Sequence, residues 1–131
     1  MSVNDTIADY LTRIRNGYRA GHDVVCTSYS KILENISAIL AREGFISGFE
    51  VVGERTKKSI VVRLKYIGER PAITHLERKS KLSRHVYAGY RELSPVRDGF
   101  GKSIISTPLG LLTDEEARKK KVGGEILFVV W

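Results

Sequence analysis

The chain has little with which to crosslink or anchor itself. It holds one cysteine, Cys26, so no disulfide can form within it. A lone thiol suits a reducing compartment. Long apolar runs are missing. The strongest, Ile126 to Trp131, is far shorter than the roughly 20 residues a bilayer span needs. The opening MSVNDTIADYL places acids early and builds no apolar core, so no signal peptide is expected. Histidine is scarce: His22, His75 and His85 are the three in the chain. His22 and Cys26 are four apart, and no third ligand has a diagnostic spacing, so no metal site is expected. Each histidine reads as a surface or strand residue. Cys26, between Val25 and Thr27 in an extended piece, reads as a packed thiol. The only paired carboxylates, Glu115 and Glu116, fit a helix start. No catalytic set, cofactor or small-molecule substrate is expected.

Positive charge is plentiful. Lysine and arginine total 22 against 15 acids, a net charge of +7, and the pI is near 9.7. Such an excess on a small chain favours a polyanionic partner, with nucleic acid ahead of an anionic membrane. The membrane reading lacks an amphipathic helix with a long apolar face. Charge serving solubility alone is the plain alternative. The apolar share is 42%, enough for a core, so composition excludes disorder.

The pattern predicts an α+β chain of two small α/β subdomains. Ile7, Leu11, Ile14 and Tyr18 recur at helical spacing, with Asn4 or Asp5 as the cap. Gly17 and Gly21 weaken and then end this helix. Residues 23–27 are extended. Ser28 or Ser30 starts a second helix carrying Leu33, Ile36, Ile39 and Leu40, and Gly44 stops it. Residues 49–52 and 59–66 read as strands, since Ile60, Val62, Leu64 and Tyr66 alternate with Val61, Arg63 and Lys65. The N-terminal subdomain, 1–67, is therefore α-β-α-β-β. Gly68 to Pro71 reads as a break. The C-terminal subdomain, 68–131, reads as mostly β with one short helix. Residues 72–76 and 85–90 are strand-like and flank the basic stretch RKSKLSR, Arg78 to Arg84. A strand follows at 103–105. Thr113 to Glu116 is a capping box that opens the short helix. The basic cluster Arg118 to Lys121 closes it, which suits the helix dipole. Gly123 and Gly124 turn into a last strand, 125–131.

The stretch GFGKSIISTP, residues 99–108, contains Gly-Lys-Ser. A phosphate-binding loop needs a glycine five places before Gly101 and a helix after Lys-Ser. Val96 occupies the first place, and Ile104-Ile105 continue as a strand. The glycines instead allow a turn or a close approach of backbones. At the far end stand Ser106 and Thr107. Such hydroxyls can satisfy turn backbone. Equally, beside glycine turns, a basic arm and the aromatics Tyr87 and Tyr90, they can meet a base edge or a ribose hydroxyl in folded RNA.

Three longer segments then identify a likeness. DTIADYLTRIRNGY, SKILENISAILAREGFI and GFGKSIISTPLGLLTDEEARKKKVGGEILFVVW follow in order. Together they resemble small-subunit ribosomal protein eight, in its bacterial or organellar form, over nearly the whole chain. The middle, 67–92, matches loosely. The resemblance implies a non-enzymatic two-domain protein bound directly to the central domain of small-subunit ribosomal RNA, at a distorted helical element, and active in assembling that domain beside neighbouring ribosomal proteins. It places the family's base-reading loop on Ser106 and Thr107, its Gly-Gly-Glu on Gly123, Gly124 and Glu125, and its strand aromatic on Tyr87. It places RNA-backbone contacts on Thr6, Ser30 and Lys31. The family's third loop hydroxyl is Pro108 here, which removes a hydroxyl and a backbone donor.

Charge alone adds Arg13, Arg55, Lys57, Lys79, Lys81, Arg84 and the Arg118 to Lys121 cluster as phosphate contacts. Glu125 is the odd member, since RNA repels a carboxylate unless it accepts a hydrogen bond or braces the loop. The expected location is the cytoplasmic small subunit or an organellar equivalent. Two rivals remain: an RNA-binding regulator acting on messenger RNA, and a small enzyme using Cys26 with a histidine.

Overall fold

The computed structural model describes the chain from residue 3, and side chains from residue 5. It divides into two compact units, Met1–Ile73 and Thr74–Trp131.

The first unit runs α1 (Val3–Arg19), β1 (Val24–Ser28), α2 (Lys31–Arg42), β2 (Ile46–Val52), β3 (Ser59–Leu64), β4 (Tyr66–Ile67) and β5 (Arg70–Pro71). β3 is the centre of an antiparallel sheet ordered β1-β3-β2. Its alternation resolves as expected: Ile60, Val62 and Leu64 are buried, while Arg63 is exposed. The two helices bury Ile7, Leu11 and Ile14 from α1 and Leu33, Ile36 and Leu40 from α2. Tyr10 joins that core because its hydroxyl finds Ser37 Oγ at 2.6 Å. Burial pushes the Tyr10 hydroxyl well above the usual tyrosine range.

Several expectations need correction here. α1 begins at Val3, so Asn4 and Asp5 lie inside it and neither caps it. Gly17 does not merely weaken the helix. It is buried, and a Cβ there would overlap Val25, so the glycine lets α1 lie close on β1. Cys26 is not a packed thiol; it is exposed. β1 alternates, so burying Thr27 turns Cys26 to the open face. Residues 68–71, read as a break, form the turn and second strand of the β4–β5 hairpin.

The second unit runs β6 (Leu76–Arg78), β7 (Tyr87–Ala88), a 3-10 turn (Arg97–Gly99), β8 (Lys102–Thr107), β9 (Gly110–Thr113), α3 (Asp114–Lys120) and β10 (Gly124–Val130). β10 is its axis. β8 pairs along one edge of β10, while β6 and β7 share the other, and β9 pairs with β8. A strand covered on both edges and both faces needs an unbroken apolar run, and Leu127 to Val130 are all buried. Leu93, Ile105, Leu112 and Ala117 form a core cluster, with Ala88, Val122 and Ile126 packed against it.

The strand expected over 72–76 begins only at Leu76. Before it, the Thr74 and His75 amides donate to the Trp131 carbonyl instead. The strand expected over 85–90 shrinks to Tyr87–Ala88. β9 is an element that the sequence pattern, with its one strand at 103–105, does not predict. Pro108 sits in the tip of the β8–β9 hairpin, where its missing N–H leaves no ladder bond unmade. The capping box forms as read, with Thr113 and Glu116 bonding each other's backbone. Asp114 is buried, accepting from the Ser103 amide at 2.9 Å and from Arg118 at 2.8 Å.

Ser80 ties the basic stretch to this sheet. Only 1% exposed, its hydroxyl donates to the Ile126 carbonyl at 2.7 Å and accepts from the Val86 amide at 2.9 Å. Ser80→Ala leaves both backbone groups without that partner and is expected to cost about 1–3 kcal/mol. Denaturant unfolding checks this; an unchanged midpoint would contradict the role.

Candidate nucleic-acid interface

Glu125 on β10 stands directly opposite Ser106 on β8 and Tyr87 on β7. Residues opposite each other on paired strands project to the same face of a sheet. The three side chains therefore form one row across three strands. The two outer members are open, while the Glu125 side chain between them is only 19% exposed. Tyr87 is 69% exposed, Ser106 is exposed, and neither hydroxyl has a hydrogen-bond partner among the described residues. Glu125 uses one oxygen, Oε2, which lies 2.6 Å from His85 Nδ1. Its Oε1 has no such partner among those residues.

Two glycines set the spacing of the row. A Cβ on Gly124 would overlap the Ser106 carbonyl oxygen, and one on Gly123 would overlap the Ala88 carbonyl oxygen. Their contribution is the close approach of neighbouring backbones rather than any group of their own.

Thr107 behaves differently from Ser106. Its hydroxyl donates to the Gly110 carbonyl at 2.8 Å and accepts from the Leu109 amide at 3.1 Å. Its one donor is thus engaged inside the hairpin tip, and one acceptor position is left. Pro108 and Thr107 together fix the shape of that tip.

The basic residues fall into two sets. Among the described residues, Lys81 and Arg84 are exposed without an ion pair, and their backbones face each other across a tight turn. Lys79 is held by Glu77 at 3.2 Å, and its ammonium keeps the Glu77 carboxyl below the usual range, with His75 adding to the effect. Arg118 is bound to Asp114 and Lys119 to Glu115. Lys120 and Lys121 are exposed.

In the first unit, Arg55 and Lys57 lie exposed in the β2–β3 turn with no ion pair among the described residues. Lys31 is exposed and reaches Glu34 at 3.6 Å, which eases its place in the first turn of α2. Ser30 caps that helix, accepting from the Leu33 amide at 3.3 Å. Arg13 is tethered to Asp9 at 2.8 Å and to the Cys26 carbonyl at 3.1 Å. Thr6 is partly buried on α1. These six residues belong to the first unit and the row to the second.

From sequence alone His85 reads only as a surface or strand residue. Its position two before Tyr87 was the available signal, because alternate residues of an extended piece share a face. Its ring lies 6.3 Å from that of Tyr87, with planes 24° apart. The Gly-Lys-Ser stretch holds no phosphate cradle. Gly101 bridges Val96, and Lys102 and Ser103 open β8.

The family model for Ribosomal protein S8 matches residues 5–131. A small ribosomal subunit protein uS8 from Thermosynechococcus vestitus is 48% identical over 100% of both chains. One from Erythrobacter litoralis is 44% identical, again over 100% of both. The uS8c protein of Gracilaria tenuistipitata is 48% identical over 98% of this chain and 99% of its own.

Gly124→Ala is expected to force β8 away from β10, costing about 1–3 kcal/mol of stability. Amide exchange should quicken first around Ser106 and Glu125. Exchange unchanged at those two amides would mean that the close approach is not needed.

Proposed function

The chain belongs to the ribosomal protein S8 family, and from that premise we propose how its two kinds of surface divide the work of holding RNA. It is a structural constituent of the small ribosomal subunit and not an enzyme. Its place is the cytoplasmic small subunit or an organellar equivalent, in association with ribosomal RNA. The finer reading is that it binds the RNA directly in the central domain, at a distorted helical element, and helps that domain assemble beside neighbouring small-subunit proteins.

In this reading affinity comes from phosphate contacts and selectivity from the row. Lys81, Arg84, Arg55 and Lys57 would contribute most to affinity, since among the described residues no ion pair competes for them. Lys31, Lys79 and Arg13 must release or share a carboxylate partner, so each would contribute less. Ser30, the cap of α2, and Thr6 on α1 would offer polar groups to the RNA backbone. The single observation that carries the selectivity claim is the Ser106–Glu125–Tyr87 alignment, with the Ser106 and Tyr87 hydroxyls open on either side of Glu125. A hydroxyl that both donates and accepts, a carboxylate oxygen that only accepts, and an exposed ring suit an unpaired base and a 2′-hydroxyl. Thr107 would fix the loop and lend its remaining acceptor, while Gly123 and Gly124 would keep the strands close enough for the row to exist.

The test is binding of the protein to a central-domain RNA fragment and to a scrambled duplex of equal length, across salt. Ser106→Ala is expected to lose most of the preference for the fragment while keeping the salt slope. Lys81→Ala should weaken both complexes alike and lower the slope by about 1. Equal binding of the unaltered protein to both RNAs would contradict the reading. A preference that survived loss of the Ser106 hydroxyl, Tyr87 and Glu125 together would contradict the role of the row.

A further inference from the structure

We infer that His85 is a positioning residue of the RNA site, acting through Glu125 and Tyr87 rather than through a phosphate. The inference rests on the row described above and extends it by one residue. Three observations on different atoms converge. The His85 Nδ1–H donates to Glu125 Oε2 across 2.6 Å. The His85 ring lies nearly parallel to the Tyr87 ring, with centroids 6.3 Å apart, within the range of favourable aromatic pairs. The Val86 carbonyl, next in the chain, accepts from the Ile126 amide, next to Glu125. One imidazole therefore bonds one member of the row and lies beside a second, and the backbone next to it is fixed to β10 at the same level.

The chemistry explains why such a residue is needed. A glutamate beside a polyanion is disfavoured unless a donor holds and offsets it. With Oε2 bonded to His85, the carboxylate has one rotamer to keep and one oxygen, Oε1, to offer. An acceptor-only oxygen suits a base amino group or a 2′-hydroxyl, not a phosphate. Without the imidazole the carboxylate is free to swing away, and Tyr87 loses the ring beside it. His85 thus holds the carboxylate in place and gives the Tyr87 ring a neighbour.

A direct phosphate contact by a charged His85 predicts different behaviour, and binding measurements separate the two. His85→Ala, His85→Asn and His85→Gln are compared with Glu125→Ala and with the double variant His85→Ala/Glu125→Ala, on the central-domain fragment and the scrambled duplex across salt. Melting temperatures of all variants check that the fold persists. The asparagine amide reaches the place of Nδ1, whereas the glutamine amide extends to the place of Nε2.

His85→Ala is expected to bind the fragment roughly tenfold more weakly, with binding to the scrambled duplex and the salt slope unchanged. His85→Asn should recover most of that loss and His85→Gln little. In the Glu125→Ala background, removing His85 should add far less than it does alone, because its main lever is already gone. A salt slope lowered by about 1, with equal weakening on both RNAs, would overturn the inference in favour of a phosphate contact. Fragment binding unchanged by His85→Ala, or additive losses in the double variant, would overturn it as well. If the unaltered protein shows no preference between the two RNAs, the underlying RNA-site reading fails instead.

Discussion

The distance between β8 and β10 at Gly124 governs the second unit. A side-chain carbon there would collide with the Ser106 carbonyl, so only glycine lets the two backbones approach this closely. From that contact follows the pairing of Ser106 with Glu125, and from the same strand follows the pairing of Glu125 with Tyr87. The apolar end of β10 meets the opposite demand. Phe128 and Val130 are fully buried, and they hold the strand while its glycine end stays bare. One strand thus serves as core at one end and as spacer at the other.

Charge is organised along a similar division. The helix that closes in Arg118, Lys119 and Lys120 looks from composition like a basic patch. Two of those cations are taken by Asp114 and Glu115, which brace the helix against β8. The Lys102 ammonium also reaches Glu115, and that bond, with help from Lys119, holds the Glu115 carboxyl below its usual range. Among the described residues, Lys81, Arg84, Arg55 and Lys57 have no ion pair and lie on tight turns. A turn presents a lysine or arginine at little packing cost, and a phosphate can reach it without displacing a carboxylate. Proposed affinity and proposed selectivity therefore use different parts of the molecule, the turns for the first and the sheet face for the second.

Much of this was legible in the sequence, for identifiable reasons. The α1 and α2 stripes, the alternation of β3 and the Thr113–Glu116 capping box are periodic or local signals, and the structure keeps them. Signals that depend on a distant partner were not legible. Cys26 read as packed because its neighbours are apolar, yet its side of β1 faces outward. β9 carries no local signal that pairs it with β8 across the Pro108 tip. Gly17 read as a weak helix residue, and only the position of Val25 reveals its packing role. In the candidate site, the hydroxyls and the Gly-Gly-Glu were visible as types. The engagement of Thr107 within its own turn and the bond from His85 to Glu125 arise from pairing between strands, which no local pattern encodes.

The most direct measurement is an amide and side-chain NMR titration of the whole protein with a central-domain RNA fragment at moderate salt. Shifts concentrated at Ser106, Glu125, Tyr87 and their neighbours, persisting as salt rises, are expected if the row reads the RNA. Shifts confined to Lys81, Arg84 and the β2–β3 turn, and fading together with salt, would contradict that role and leave binding to charge alone.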